Sequence, residues 1–175
     1  MNWKNNLYFF LILLIFSILN GCKFYSFTGA SIPAGTKTFQ VNFFENLAGN
    51  RPGSIVEPGL DQEFTIALQD LFLNQTNLSI VNKGGDLLYE GEIVEFSVTP
   101  MSATSQIKAA QNRLTMEINL RYFNKKNKDD DFEKRFSHFY DFSANQQVYD
   151  VRDIALDEIF ERITQNIFNE TLAKW

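Results

Sequence analysis

The 175 residues include only one cysteine, one histidine and four prolines. A lone cysteine forms no intramolecular disulfide, so the fold must stand on its own core. A lone histidine excludes a histidine cluster for a metal and leaves His138 as the only base for a Ser-His-Asp arrangement. Ser137 precedes it in a strand-like segment, where neighbouring side chains point to opposite faces, so the two cannot meet directly. No glycine-rich phosphate loop is present, because Gly84 and Gly85 make an isolated turn. Asp129, Asp130 and Asp131 follow Lys125, Lys126 and Lys128 without the ligand spacing of a calcium loop, which makes the tract a solvated turn. Glu90, Glu92 and Glu95 share a strand, but nothing in the sequence pairs them for acid-base work. These absences leave no recognisable enzyme and no call for a cofactor.

Positive charge is also short. The chain has 16 basic and 21 acidic residues, a net charge of −5. A mildly acidic protein is not built to bind nucleic-acid phosphates.

What is abundant is phenylalanine, 18 residues in all, many in strand-like segments where aromatics are favoured. The simplest reading is an aromatic core. The other prominent feature lies at the start. Lys4 precedes an apolar run over residues 7–19, broken by Tyr8 and Ser17. A helix crossing a bilayer needs roughly 20 residues, so this shorter run fits the core of a signal peptide. Leu19-Asn20-Gly21-Cys22 follows and resembles a bacterial lipobox, with Asn20 where Ala or Ser is more usual. Cys22 is therefore expected to carry lipid as the first residue of the mature protein, which removes its thiol from metal or nucleophilic chemistry. The organisation read from this is a signal peptide over 1–21, a lipid-attached segment over 22–36, and one domain over 37–175. Without Lys4 the mature chain carries −6.

Alternation over 37–44 puts Phe39, Val41 and Phe43 on one face of a half-buried strand. Residues 46–58 read as loop. Leu60, Phe64, Leu68, Leu71 and Phe72 then recur at helical spacing, giving a helix over about 58–74. A short strand over 78–82, a turn at 83–86 and a long strand over 87–99 follow, with a bulge expected near Gly91. After a loop at 100–111, Leu114, Met116, Ile118, Leu120 and Tyr122 share one strand face, with Arg113, Glu117 and Arg121 opposite. Residues 132–142 read as the hairpin partner. A long helix over about 151–173 closes the chain, with Asp150 as N-cap. The expected architecture is α+β: two helices packed on one face of a mostly antiparallel four-stranded sheet.

The segment Tyr25-Ser26-Phe27-Thr28-Gly29-Ala30-Ser31-Ile32-Pro33 resembles the opening of LptE-family lipopolysaccharide-assembly lipoproteins of the Bacteroidetes-like type. So do Phe39, Val41, Phe44 and Asn46, the helix with Phe64, Leu68, Leu71 and Phe72, and the strand from Gly85 and Asp86 to Glu90 and Gly91. The stretch after the cysteine departs from the proteobacterial relatives, so their detailed contacts are not transferred. The resemblance implies a non-enzymatic lipoprotein on the periplasmic side of the outer membrane. It also implies that the domain partners and plugs an LptD-like β-barrel, helping it assemble and move lipopolysaccharide to the outer leaflet. Lipopolysaccharide phosphates would call for cations, and Arg113 and Arg121, with Lys125, Lys126 and Lys128 at the strand tip, are the candidates. Two rivals stand beside this: a periplasmic lipoprotein holding a small ligand or glycan in an aromatic pocket, and a hydrolase built around His138.

Mass spectrometry of the mature protein is expected to find Cys22 at the N-terminus with acyl chains attached. An unmodified Cys22 would remove the anchor from this reading.

Overall fold

The computed structural model describes residues 32–50, 53–101 and 110–173. The expected signal peptide and Cys22, the Tyr25–Ser31 part of the family-like motif and most of the loop after residue 100 lie outside the described residues. The elements are β1 (Thr38–Val41), β2 (Glu45–Asn46), α1 (Leu60–Gln75), β3 (Ser79–Ile80), β4 (Leu87–Met101), β5 (Gln111–Asn124), β6 (Phe132–Ser143) and α2 (Val148–Leu172).

The long strands β4, β5 and β6 form an antiparallel meander, and β1 joins β4 in parallel. The α+β class holds, with six strands in place of four. The short strand expected over 78–82 is β3, which pairs with β1 in parallel, and the unexpected addition is the two-residue β2, which pairs with β4 in parallel. A piece as short as β2 carries too little periodicity to be distinguished from loop in sequence.

Both helices cover one side of the sheet. Leu60, Phe64, Leu68 and Phe72 repeat every fourth residue of α1 and are fully buried. Ala155, Ile159, Ile163 and Ile167 do the same on α2. From the sheet, Leu114, Met116, Ile118, Leu120 and Tyr122 meet them as the alternation requires. The phenylalanines organise this core. Ring contacts run from Phe39 to Phe72, Tyr89, Tyr122 and Phe132, with centroids 5.4, 4.6, 5.1 and 5.3 Å apart in turn. A second set links Phe44 to Phe64 on α1 and Phe160 on α2, at 5.0 and 5.6 Å. Each pair lies at the separation where tilted or edge-on aromatics attract beyond their buried area.

Three local expectations are sharpened or corrected. The alternation over 37–44 breaks after β1. Phe43 is 62% exposed and Phe44 is buried, because the Phe44 N–H turns inward to the Thr65 hydroxyl on α1. The β4 irregularity expected near Gly91 falls just after it, between Ile93 and Glu95. There the strand changes phase, so Leu87, Tyr89 and Ile93 are buried before it and Phe96 after it. Finally, α2 starts three residues earlier than expected. Gln147 is the N-cap and Asp150 takes the third helical position, returning its carboxylate to the Gln147 N–H at 3.0 Å.

Gly91 has a different reason to be glycine. A Cβ there would run into the Asn119 carbonyl oxygen and lie 2.9 Å from the Phe44 ring. The ring occupies the space a side chain would need. Gly91→Ala is accordingly expected to cost about 3 kcal/mol and lower Tm by roughly 10 °C. A melting curve matching the wild type would contradict this packing.

Candidate interaction surface on the open sheet face

No described element covers the other face of the sheet. Alternation places there Glu90, Glu92, Glu95 and Thr99 from β4, Arg113, Glu117, Asn119 and Arg121 from β5, and Glu133, Arg135, Phe139 and Asp141 from β6. The register sets them in cross-strand rows. Glu90, Arg121 and Glu133 form one, Glu92, Asn119 and Arg135 the next, and Thr99, Arg113 and Asp141 the last.

The rows are stitched by charge-assisted bonds. Arg121 donates to Glu92 at 2.7 Å and to Glu90 at 3.4 Å, and Asn119 donates to Glu92 at 2.9 Å and Glu133 at 2.6 Å. Burial would raise the Glu92 carboxyl, but the bonds from Asn119 and Arg121 outweigh it and hold the group below its usual range. Arg121 rises in turn, chiefly through its bond to Glu92. Arg113 clasps Asp141 through two bonds of 2.7 and 2.8 Å, and its guanidinium carbon lies 3.5 Å from the Phe139 ring centroid. That clasp lowers the Asp141 pKa and raises that of Arg113. Arg135 reaches Glu117 at 3.0 Å. Six carboxylates thus meet three guanidiniums, so the face is acidic on balance and its side chains are held in place.

The five candidate cations do not form one patch. Arg113 stands near the start of β5 and Lys125 just beyond its end, about 40 Å apart at ~3.3 Å per residue. Arg121 lies on the same side as Arg113 but near the other end, beside the β5–β6 turn that carries Lys125, Lys126 and Lys128. Lys125 Nζ donates to the Gly84 carbonyl at 2.7 Å, and Lys126 pairs with Asp86 at 3.4 Å. Lys128 makes no ion pair among the described residues.

Asp86 and Arg152 escaped the sequence reading. Asp86 accepts from the Lys37 N–H at 2.9 Å, and from the Thr38 N–H and hydroxyl at 3.2 Å each. It therefore ties the entry of β1 to the turn before β4. The Lys37 bond is the main reason that its pKa falls to about 2. Arg152 on α2 reaches Glu57 at 2.5 Å and Glu63 on α1 at 2.8 Å, and its pKa rises, chiefly through Glu57. Both pairings span dozens of residues, so no local motif announces them. His138 is half-buried, its ring 5.5 Å from that of Phe139, and Ser137 points to the other face as expected.

A family model described as LptE, Lipopolysaccharide-assembly, matches residues 36–171. No curated protein matches. Among solved structures, a protein of Xanthomonas campestris shares the fold with a TM-score of 0.53 at 10% identity, over 82% of this chain and 90% of that one. An uncharacterised lipoprotein B from Nitrosomonas europaea aligns at 0.47 and 13% identity, over 85% and 88%.

The Asp86 contacts predict a pH effect with a definite sign. A carboxylate held below its unfolded value of 3.8 stabilises the fold above that pH and loses its contribution as pH falls towards about 2. Denaturant midpoints measured from pH 5 to pH 2 are expected to decline less steeply in Asp86→Asn than in the wild type. Parallel declines would rule out this role.

Proposed function

The chain belongs to the LptE family of lipopolysaccharide-assembly proteins, and on that footing we propose that it is a lipoprotein of the outer membrane that partners and plugs an LptD-like β-barrel. The single observation that carries the reading is the family match over residues 36–171. In this proposal residues 1–21 are removed, Cys22 carries the lipid, residues 22–36 are the tether and residues 37–175 enter the barrel from the periplasmic side. The role is structural: the domain helps the barrel assemble and assists lipopolysaccharide on its way to the outer leaflet. No catalytic step is assigned.

The open sheet face suits that role. A barrel wide enough to hold a domain has a polar interior. A plug needs a polar surface that stays ordered when water is displaced, because unpaired charges are costly to desolvate. The cross-strand rows meet that need, since Arg113, Arg121 and Arg135 each bring a carboxylate partner. For lipopolysaccharide phosphates, the cations proposed are Arg113, Arg121, Lys125, Lys126 and Lys128. The lysines and Arg121 gather at one end, while Arg113 would act separately and only by exchanging Asp141 for phosphate.

Purification of the full-length protein from native membranes in mild detergent is expected to bring down an outer-membrane barrel in near-equal amount. Recovery without any barrel would contradict the partnership and favour a lipoprotein that binds a small ligand. Replacing Arg113 and Arg121 together by alanine, and separately the three lysines, is expected to lower lipopolysaccharide retention several-fold. Unchanged retention in both variants would remove direct binding while leaving the barrel partnership standing.

A further inference from the structure

Of the two edges of the sheet, β3 is two residues long and β6 is 12. No strand lies on the outer side of β6 among the described residues. The Ala144 N–H donates to the Ala110 carbonyl at 3.1 Å, one pair beyond the Gln111–Ser143 register. Hydrogen-bonded and non-bonded pairs alternate along an antiparallel ladder, so the even-numbered residues of β6 bond to β5. Glu133, Arg135, Ser137, Phe139, Asp141 and Ser143 therefore turn their main-chain N–H and C=O groups away from the sheet.

A long free edge is ordinarily blunted by a proline, a bulge or an outward lysine. β6 has no proline, and its register with β5 is unbroken from Phe132 to Ser143. Its long cations are held off the edge: Lys134 reaches Glu170 on α2 at 2.7 Å, and Arg135 reaches inward to Glu117 at 3.0 Å. Two shallow grooves of about 730 and 620 Å³ lie in series between β6 and α2, beside residues 134–137 and 138–141 respectively. Asn166 lines both, with Glu170 in the first and Arg162 in the second. A row of free main-chain groups gives a strand something to bond, and pockets alongside receive every other side chain.

Resting on the barrel partnership above, we infer that this edge takes up an extended segment of the barrel protein as a further strand. That segment does not belong to the barrel wall. A closed wall pairs its main-chain groups between its own strands and offers no edge. The occupant is therefore a stretch outside the wall, a loop or a chain end, turned into the lumen beside β6. With one domain to a barrel, no second copy competes for the place.

The side chains of β6 define what the segment carries. On the open face, Glu133 accepts a bond from Asn119 but pairs with no cation among the described residues, and Phe139 is 40% exposed. A cation opposite Glu133 and an apolar side chain opposite Phe139 match the cross-strand pairs that stabilise sheets. Because the face is acidic on balance, a basic segment is favoured over an acidic one. Its alternate side chains enter grooves lined by an amide and charged groups, which suit polar residues.

The test is residue-resolved hydrogen exchange of the full-length protein, alone in detergent and in the complex recovered from native membranes. In the complex, the amides of Arg135, Ser137 and Phe139 gain main-chain partners and are expected to exchange at least about ten-fold more slowly. Those of Phe136 and His138, already turned to β5, change little. Ser137→Pro removes one outward N–H and leaves the ladder to β5 intact, so it should lower barrel recovery several-fold. Ser137→Ala keeps the N–H and should recover barrel at the wild-type level. If the proline variant does not fold, the exchange measurement carries the test. Unchanged exchange at Arg135, Ser137 and Phe139 in a complex that contains the barrel would overturn the added strand and leave the partnership standing. Slow exchange in the protein alone would also overturn it, assigning the edge to another segment of this chain or to a second copy. Equal loss of barrel with alanine and proline would point to a side-chain contact and do the same. Recovery of no barrel overturns both readings.

Discussion

The Phe44 ring lies against the backbone of β4 at Gly91, where a methyl group would have no room. Much of the architecture turns on that contact. Phe44 follows the short β1, and its inward turn is secured by Thr65 on α1, so strand and helix are fixed together at one point. Its ring also meets Phe64, and Phe64 meets Phe160 on α2, so the same contact helps set the spacing of both helices over the sheet. On the other side of Gly91, Asn119 carries its side chain to the open face, where it bonds Glu92 and Glu133. Close packing on one side of β4 and the ordered charges on the other meet within a few residues.

That arrangement divides the work between two faces. The helix-covered side supplies stability without disulfides, through aromatic rings in contact from β1 to β6 and between the helices. The open side is held by ion pairs that are individually weak at a wet surface. Their value is order rather than energy: Arg113 and Arg121 are fixed against carboxylates before any partner arrives. A preordered face loses less freedom on binding. The clamp of Arg152 on Glu57 and Glu63 does the same for the far end of the domain, joining the loop after β2 to both helices.

What was legible in the sequence was what repeats. The faces of β5, α1 and α2 followed from apolar residues at the two periods, down to Leu114, Tyr122, Leu68 and Ile163. The phase change in β4 was visible too, and its place to within a few residues. Gly91 drew attention as the usual site of a bulge, while its actual constraint is a ring arriving from Phe44, 47 positions away in the chain. The same holds for the open face. Glu90, Glu92, Arg113 and Arg121 could be assigned to strands, but which carboxylate meets which arginine depends on register between strands. Asp86 and Arg152 act across 49 and 95 positions respectively, so their partners were beyond the reach of local patterns. Lys125 to Lys128 and Arg113 were grouped by sequence proximity to one strand, and the length of that strand separates them.

The most direct measurement is carboxylate footprinting of the full-length protein with a water-soluble carbodiimide, alone in detergent and again in native membranes. If the open sheet face meets the barrel interior, Glu95, Glu117 and Glu133 should label several-fold less in membranes, while Asp157 and Glu161 on α2 change little. Equal labelling of the open-face carboxylates in both settings, with protection appearing on α2 instead, would contradict it.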